Sequence, residues 1–411
     1  MLGLAVLLGG GVWWWSSSDS TDADQLDTAL PRAPQDGPAS GDAAVPDGDH
    51  SVSVTREGPP PEAARRCTGS RAGRAECRIV GSLVGDGPPV DDQLPLLEGR
   101  PATLGRPAIA DAADPDVLVD GLTYYFFSTS AEWLNVPVAT VPAGALVERP
   151  DGSGFEIDPD SGLVRLDGGI ERTDAMPTYP PWAIDTGIWA PTVEQLDGRY
   201  VMFFAAKRPN APDPINQECI GRAVASRPSG PYRPDPEPFT CGISGIHGAL
   251  DPAFHRDHDG SLTLHVAYGG SSTPLWSIPL AGDGSATGPA EPLLPMQQPW
   301  EYWFLENPSM IHDGTHYLLA YSAGDWRDAS YSTGLARCRT PRGPCRSDPS
   351  GPWLASSGPV TGPGGLAFFH DVHGDLMAVH HGYPAGGEAA FGARSTFIRR
   401  VELDDVSITL R

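Results

Sequence analysis

A chain of 411 residues has room for one large domain or two ordinary ones. Its 52 Asp and Glu against 28 Lys and Arg give a formal net charge of -24 at pH 7. That balance excludes long-range attraction to phosphate backbones, so no nucleic-acid partner is expected, and it leaves neutral substrates open.

The first 15 residues, "MLGLAVLLGGGVWWW", carry no charged side chain and end in three tryptophans, a residue that favours membrane interfaces. The run is shorter than the ~20 residues of a full span, and it lacks the basic start and small-residue cleavage site of a signal peptide. The expectation is a signal peptide or membrane anchor over 1–15, with the protein secreted or held at the outer face of the cell membrane. Residues 16–65 are rich in Ser, Asp, Pro, Gly and Ala and almost free of aromatics. Such a segment cannot bury enough apolar surface to offset its chain entropy, and a disordered linker is expected there. The folded domain is expected over 66–411.

The six cysteines fall into near neighbours: Cys67 with Cys77, Cys219 with Cys241, and Cys338 with Cys345. An exported chain would oxidise such pairs. None has zinc-site spacing, free buried thiols are the alternative, and six cysteines allow about 15 connectivities.

Beyond residue 105 the chain has almost no 3.6-residue periodicity and many short aromatic or β-branched runs broken by Gly and Pro, an all-β pattern. Five stretches align: "ADPDVLVDGLTYYFFST" from Ala113, "WAPTVEQLDGRYVMFFAA" from Trp189, "LDPAFHRDHDGSLTLHVAYG" from Leu250, "LENPSMIHDGTHYLLAYSAG" from Leu305 and "GPGGLAFFHDVHGDLMAVHHGY" from Gly362. Each has an X-Pro, a short apolar strand, a turn and a second strand. The turn is Asp-Gly four times, at Asp120, Asp197, Asp259 and Asp313, and His373-Gly374 the fifth, which suits type I′ hairpins. The prolines at 115, 191, 252, 308 and 363 leave room for two more strands per unit. Five four-stranded units predict a five-bladed β-propeller, where a β-sandwich would not explain the shared unit.

In a propeller the first strand of each blade lines the central channel. The residues before the prolines are Asp114, Ala190, Asp251, Asn307 and Gly362, with Glu306 one step earlier in the fourth unit. Three carboxylates from three blades should therefore face one pocket. Asp116 and Asp120 are expected at a strand edge and a turn.

The ordered set Ala-Asp-Pro at 113–115, Trp-Ala-Pro at 189–191, "GALDPAF" from Gly248, "LENPSM" from Leu305 and "VHHGY" from Val379 resembles glycoside hydrolase family 43, five-bladed propellers that include arabinanases, arabinofuranosidases and β-xylosidases. The resemblance runs from about Pro107 to the C-terminus. It implies a general base at Asp114, a pKa-modulating Asp251 and a general acid at Glu306, acting with inversion on arabinose- or xylose-containing polysaccharide. Trp189 and His381 match family positions and are expected substrate contacts, while Trp182, an aromatic flanking "AIDTGI", and Asn307, whose amide offers hydrogen bonds within the pocket, are expected contacts from their residue types. The resemblance requires no cofactor, although a structural calcium or other ion on the propeller axis, at His381, is a further expectation. Trp300, Trp303 and Trp326 are additional aromatic candidates, and a monomer is expected.

The chemistry is consistent with those residue types. Inverting cleavage needs an acid and a base roughly 6.5–9.5 Å apart, with room for water. A third carboxylate beside the acid in a desolvated pocket raises a pKa, so that one group holds a proton near neutral pH. Two positions depart from the family pattern: Asn307, between the acid and proline, and Gly-Pro-Gly-Gly at 362–365. Rival readings are a non-catalytic carbohydrate-binding propeller and another propeller glycosidase, such as a fructosidase.

Overall fold

In a computed structural model, the described residues are 107–411 apart from 167, 210, 212–215, 244–245, 270–272, 313, 315, 385–392 and 404–407. The expected segments 1–15 and 16–65, the Cys67–Cys77 pair and the turn residue Asp313 lie outside them.

The architecture is a five-bladed β-propeller. Blade 1 is built from Asp116–Asp120, Thr123–Phe127, Pro137–Pro142 and Thr173–Asp174, and blade 2 from Trp189–Leu196, Arg199–Lys207, Glu218–Ala225 and Arg233–Pro234. Blade 3 comprises Ala249–Arg256, Leu262–Tyr268, Leu275–Leu280 and Glu291–Leu294. Blade 4 comprises Phe304–His312, Tyr317–Gly324, Ser332–Cys338 and Cys345–Ser347. Blade 5 begins with Val360–His370, Leu376–Pro384 and Ser395–Leu403. Its outer edge is completed by Phe155–Ile157 and Leu146–Glu148, from the long connection inside blade 1.

Five apolar clusters fill the gaps between neighbouring blades, which explains the near-continuous hydrophobic runs. Phe127, Met202 and Phe204 pack between blades 1 and 2, for example, and Leu319, Tyr321 and Leu293 between blades 3 and 4. A second strand such as Leu262–Tyr268 is buried along its whole length because both faces are covered. Closure uses the chain just ahead of blade 1. Ile109 and Thr396 exchange backbone hydrogen bonds, and the Ala112 amide donates to the Arg394 carbonyl at 2.8 Å. This seam sets the start of blade 1 against the third strand of blade 5.

Two expectations about the repeat need correction. Among the described residues, the Asp-Gly turn takes a two-residue form with positive φ at both central residues only at Asp197 and Gly198, at 46° and 74°. In blade 1 the loop residues are Gly121 and Leu122, one step later. Blades 3 and 5 use longer loops closed by Asp257 and Asp371, whose carbonyls accept from Gly260 and Gly374. The dipeptide recurs because glycine serves positive φ in several loop types.

The second correction concerns blade 5, where the repeat position is Gly365-Leu366 rather than Gly362-Pro363. Register breaks fall between Trp189 and Thr192, Leu250 and Ala253, and Glu306 and Ser309, and blade 5 has two, between Thr361 and Gly364 and between Gly364 and Ala367, of which the second faces His381 and Asp114. The bulge itself is therefore Ala190-Pro191, Asp251-Pro252, Asn307-Pro308 and Gly365-Leu366. Proline fits a bulge because the bulged residue makes no ladder bond, and leucine serves equally.

The expected disulfides Cys219–Cys241 and Cys338–Cys345 are formed.

Candidate active site

At the bulge, Asp114, Ala190, Asp251, Asn307 and Gly365 all have left-handed backbone, with φ of 48°, 43°, 51°, 47° and 58°. Four of the five are not glycine, so each stores backbone strain on the order of 1 kcal/mol or more. A bulge re-aims side chains, and here it does so at equivalent points of every inner strand. Gly365 has a local reason to be glycine: a Cβ there would overlap the His381 ring and approach the Asp114 carboxylate.

Asp114 is held on all sides. Arg394 clamps it through Nη1 to Oδ1 at 3.1 Å and Nη2 to Oδ2 at 3.2 Å. Thr129 Oγ1 donates to Oδ2 at 2.7 Å, and the Asp114 amide donates to His381 Nδ1 at 3.0 Å. Burial pushes its carboxyl up, but the Arg394 charge, His381 and the Thr129 hydrogen bond together outweigh that, and the net shift is downward. Asp114 is thus an ionised carboxylate.

Glu306 has the opposite environment. Burial is the main cause that lifts its carboxyl to about 7, and the nearby Asp114 charge adds to it against the hydrogen bond from Tyr331. Asp251 is driven well above the usual carboxylate range by burial first, then by Glu306 and Asp114, while its Oδ2 accepts the Asn307 amide at 3.1 Å. Two carboxyls of the same site are therefore pushed apart, the arrangement that separates an acid from a base.

Tyr331 links Glu306 to Asn307. Its hydroxyl lies 2.7 Å from Glu306 Oε1 and 2.8 Å from Asn307 Oδ1. A phenol has one proton for two acceptors. It serves Glu306 or Asn307 in turn, and its bond to the Glu306 carboxylate is the one that favours the ionised form of Glu306. Tyr331 also stacks on His381, with ring planes 1° apart and centroids at 5.8 Å.

The three acids foreseen from the sequence come together at one site, and other candidates take different places. Asn307 turns its side chain to Tyr331 and its amide to Asp251. Trp189 is half-buried beneath Lys207 Nζ, 5.6 Å from its ring. Trp182, expected to line a subsite, is instead 9 % exposed and stacked on Phe204 at 6.2 Å within the cluster between blades 1 and 2, because the apolar surface of that seam covers it.

His381, expected to contact substrate and hold an ion, is fully buried and acts through Asp114. Its Nδ1 takes the Asp114 amide, and its Nε2 lies 3.2 Å from Arg394 Nη1. Burial and the Arg394 charge hold it neutral, well below the usual imidazole range. With both nitrogens engaged and a guanidinium beside it, the ring does not fit a metal ion.

Asp116, expected at a strand edge, lines a channel of about 70 Å³ on the axis below the acids, where its Oδ2 accepts the Val193 amide at 2.9 Å. Trp300 packs on Tyr321, and Trp303 is half-exposed before the inner strand of blade 4. Trp326 lies 5.1 Å from the Arg394 guanidinium, on the same side as the acids.

The sequence did not single out Arg394, Thr129 or Tyr331. Arg394 lies 280 residues from Asp114 and has no counterpart in the repeat. Only the position of Thr129, just past the second strand of blade 1, was available as a signal.

A five-bladed propeller with an ionised and a protonated carboxyl at the mouth of its channel is of the glycosidase type. The chain belongs to the glycosyl hydrolases family 43, whose description matches residues 106–406. It is 35% identical over 114 residues to xylosidase/arabinosidase 43A of Humicola insolens, which is 27% of this chain and 32% of that protein. It is 25% identical over 297 residues to arabinan endo-1,5-alpha-L-arabinosidase A of Aspergillus niger, covering 66% and 82% of the two chains. The chain thus spans about a third of the length of the Humicola relative. Among solved structures, a thermostable family-43 glycoside hydrolase superposes with a TM-score of 0.60 at 20% identity, over 75% of this chain and 96% of that one. That likeness shows the fold.

Proposed function

We propose that this protein is an inverting glycosidase acting on α-L-arabinofuranosyl linkages in arabinan or arabinoxylan, with β-xylosyl linkages second. The observation that carries the reading is the split between Asp114, kept ionised by Arg394, and Glu306, kept protonated by burial. Glu306 donates its proton to the leaving glycosidic oxygen. Asp114 accepts a proton from the water attacking the opposite face of the sugar as an oxocarbenium-like state develops. A clamped carboxylate is a weak base, but its proton transfer accompanies departure of the leaving group, and a fixed orientation matters more there than basicity.

Asp251, itself pushed well above the usual carboxylate range by burial, Glu306 and Asp114, orients the Asn307 backbone. No step calls for a metal or redox cofactor. The matched relatives named for arabinan and for xyloside or arabinoside activity support the substrate class. The two disulfides support an exported protein, since such bonds persist in oxidising compartments.

The test is incubation of the full chain with arabinan, arabinoxylan and aryl α-L-arabinofuranosides or β-xylosides, beside Glu306→Ala. The anomer of the first product is read by proton NMR. Inverted arabinose from wild type and none from the variant is expected. Retained configuration would overturn the mechanism, and oligosaccharide binding without any product would make the protein a binding propeller.

A further inference from the structure

The opposite end of the propeller carries a second constellation that catalysis does not use. In the inner strand of blade 3, Ala249–Arg256, six steps at ~3.3 Å each separate Asp251 from Asp257, which lies on the order of 20 Å from the acids. There Asp257 and His258 open the hairpin loop, and His312 closes the inner strand of blade 4. One ligand atom from each of the three lies within 4.8 Å of the others.

The three are preorganised rather than loosely adjacent. Asp257 is 8 % exposed, although it sits in a surface loop. Its Oδ2 accepts the Tyr317 hydroxyl at 2.8 Å, and its Oδ1 accepts the His258 amide at 2.8 Å and faces His258 Nδ1 at 2.7 Å. The His258 and His312 rings stack at 5.2 Å and 21°, and Tyr317 packs on His312 at 4.4 Å. No described residue hydrogen-bonds a ring nitrogen of His312.

Behind them lies His255, 6.0 Å from Tyr317. Its Nδ1 faces the Met310 carbonyl at 3.2 Å and so must carry the proton, which leaves Nε2 as a buried lone pair with no partner. A buried acceptor nitrogen without a donor thus lies beside this corner. A carboxylate fixed by a neighbouring hydroxyl beside two imidazoles is the usual form of a site for a borderline cation.

We propose that Asp257, His258 and His312 bind a divalent transition cation of the zinc type. The donor set of two nitrogens and one oxygen selects such an ion over calcium or magnesium, which take oxygen ligands. The His258 side chain, 69% exposed, leaves the remaining position open to water. Bound there, the ion joins the loop of blade 3 to the inner strand of blade 4 and stabilises the propeller on the face away from substrate.

The test uses the full chain, freed of metal by a chelator and titrated with Zn(II) and separately with Co(II). Wild type should bind one more equivalent than His258→Ala/His312→Ala. Its Co(II) form should show visible d–d absorption that the double variant lacks. Zn(II) should raise the thermal midpoint by several degrees in wild type only, since a ligand of the folded state stabilises it. Far-UV circular dichroism and retained glycosidase activity establish that the variant is folded. Equal stoichiometry in the two proteins would overturn the proposal. So would the absence of Co(II) bands in wild type at saturation, a readout that needs no variant.

Discussion

Replacing Glu306 with glutamine keeps its shape and removes its ionisation, so it separates the acid's role in catalysis from its effect on stability. The folded carboxyl stands at about 7 against an ordinary 4.5. That difference corresponds to on the order of 3 kcal/mol at 1.36 kcal/mol per unit. Because the folded value is raised, the group's contribution is fully present below its unfolded value and is lost as pH rises through about 7. Glutamine cannot ionise. The variant should therefore match wild type near pH 4.5 and gain on it up to a plateau above pH 7. Loss of Glu306 as a neighbour also relieves Asp251, which adds in the same direction. Urea unfolding at several pH values with the disulfides intact measures the gain. Turnover of arabinan should fall ~10²–10⁴-fold, with a smaller loss on aryl glycosides whose leaving group needs no proton. A stability difference that does not vary with pH would refute the assignment of Glu306 as a buried, neutral acid, as would unimpaired turnover.

Other substitutions test the surrounding groups. Arg394→Met breaks a mostly buried pair, a loss that typically costs about 3–5 kcal/mol. It should also move the acidic limb of the pH–rate profile upward, and a limb that stays in place would separate Arg394 from Asp114. Tyr331→Phe removes a hydrogen bond that lowers the Glu306 value, so the alkaline limb should move up by about one unit. A limb that moves down would contradict the donor role of Tyr331. Gly365→Ala forces a side chain onto His381 at positive φ. It should cost activity ~10-fold or more with little change in far-UV circular dichroism, and wild-type kinetics would show that the His381 contact is unimportant.

Much of the site was legible because it repeats. Asp114 and Asp251 precede prolines in equivalent units, and Glu306 is one step off that frame. The structure supplies the reason for the offset: Glu306 precedes the left-handed residue, while the two aspartates occupy it. The frame failed in blade 5, where proline marked one register break at Gly362 but the break that faces the acids is a second one at Gly365. Proline is compatible with a bulge but is not what produces one. Trp182 was misplaced because an aromatic that packs in a blade seam and one that lines a subsite look alike in sequence. The turn type was over-read for a similar reason, since Asp-Gly serves loops of several lengths.

The sequence by itself determined the all-β class, the number of blades and the positions of the three acids, because each is written in local pattern or repeated spacing, whereas the cysteine pairing stayed open among several connectivities. Tertiary structure decided the charge state of those acids. Arg394 reaches Asp114 only through the closure of blade 5 onto the start of blade 1, and Tyr331 reaches Glu306 across blade 4. Burial and ion pairing depend on neighbours distant in the chain, so no local pattern encodes which carboxyl keeps its proton.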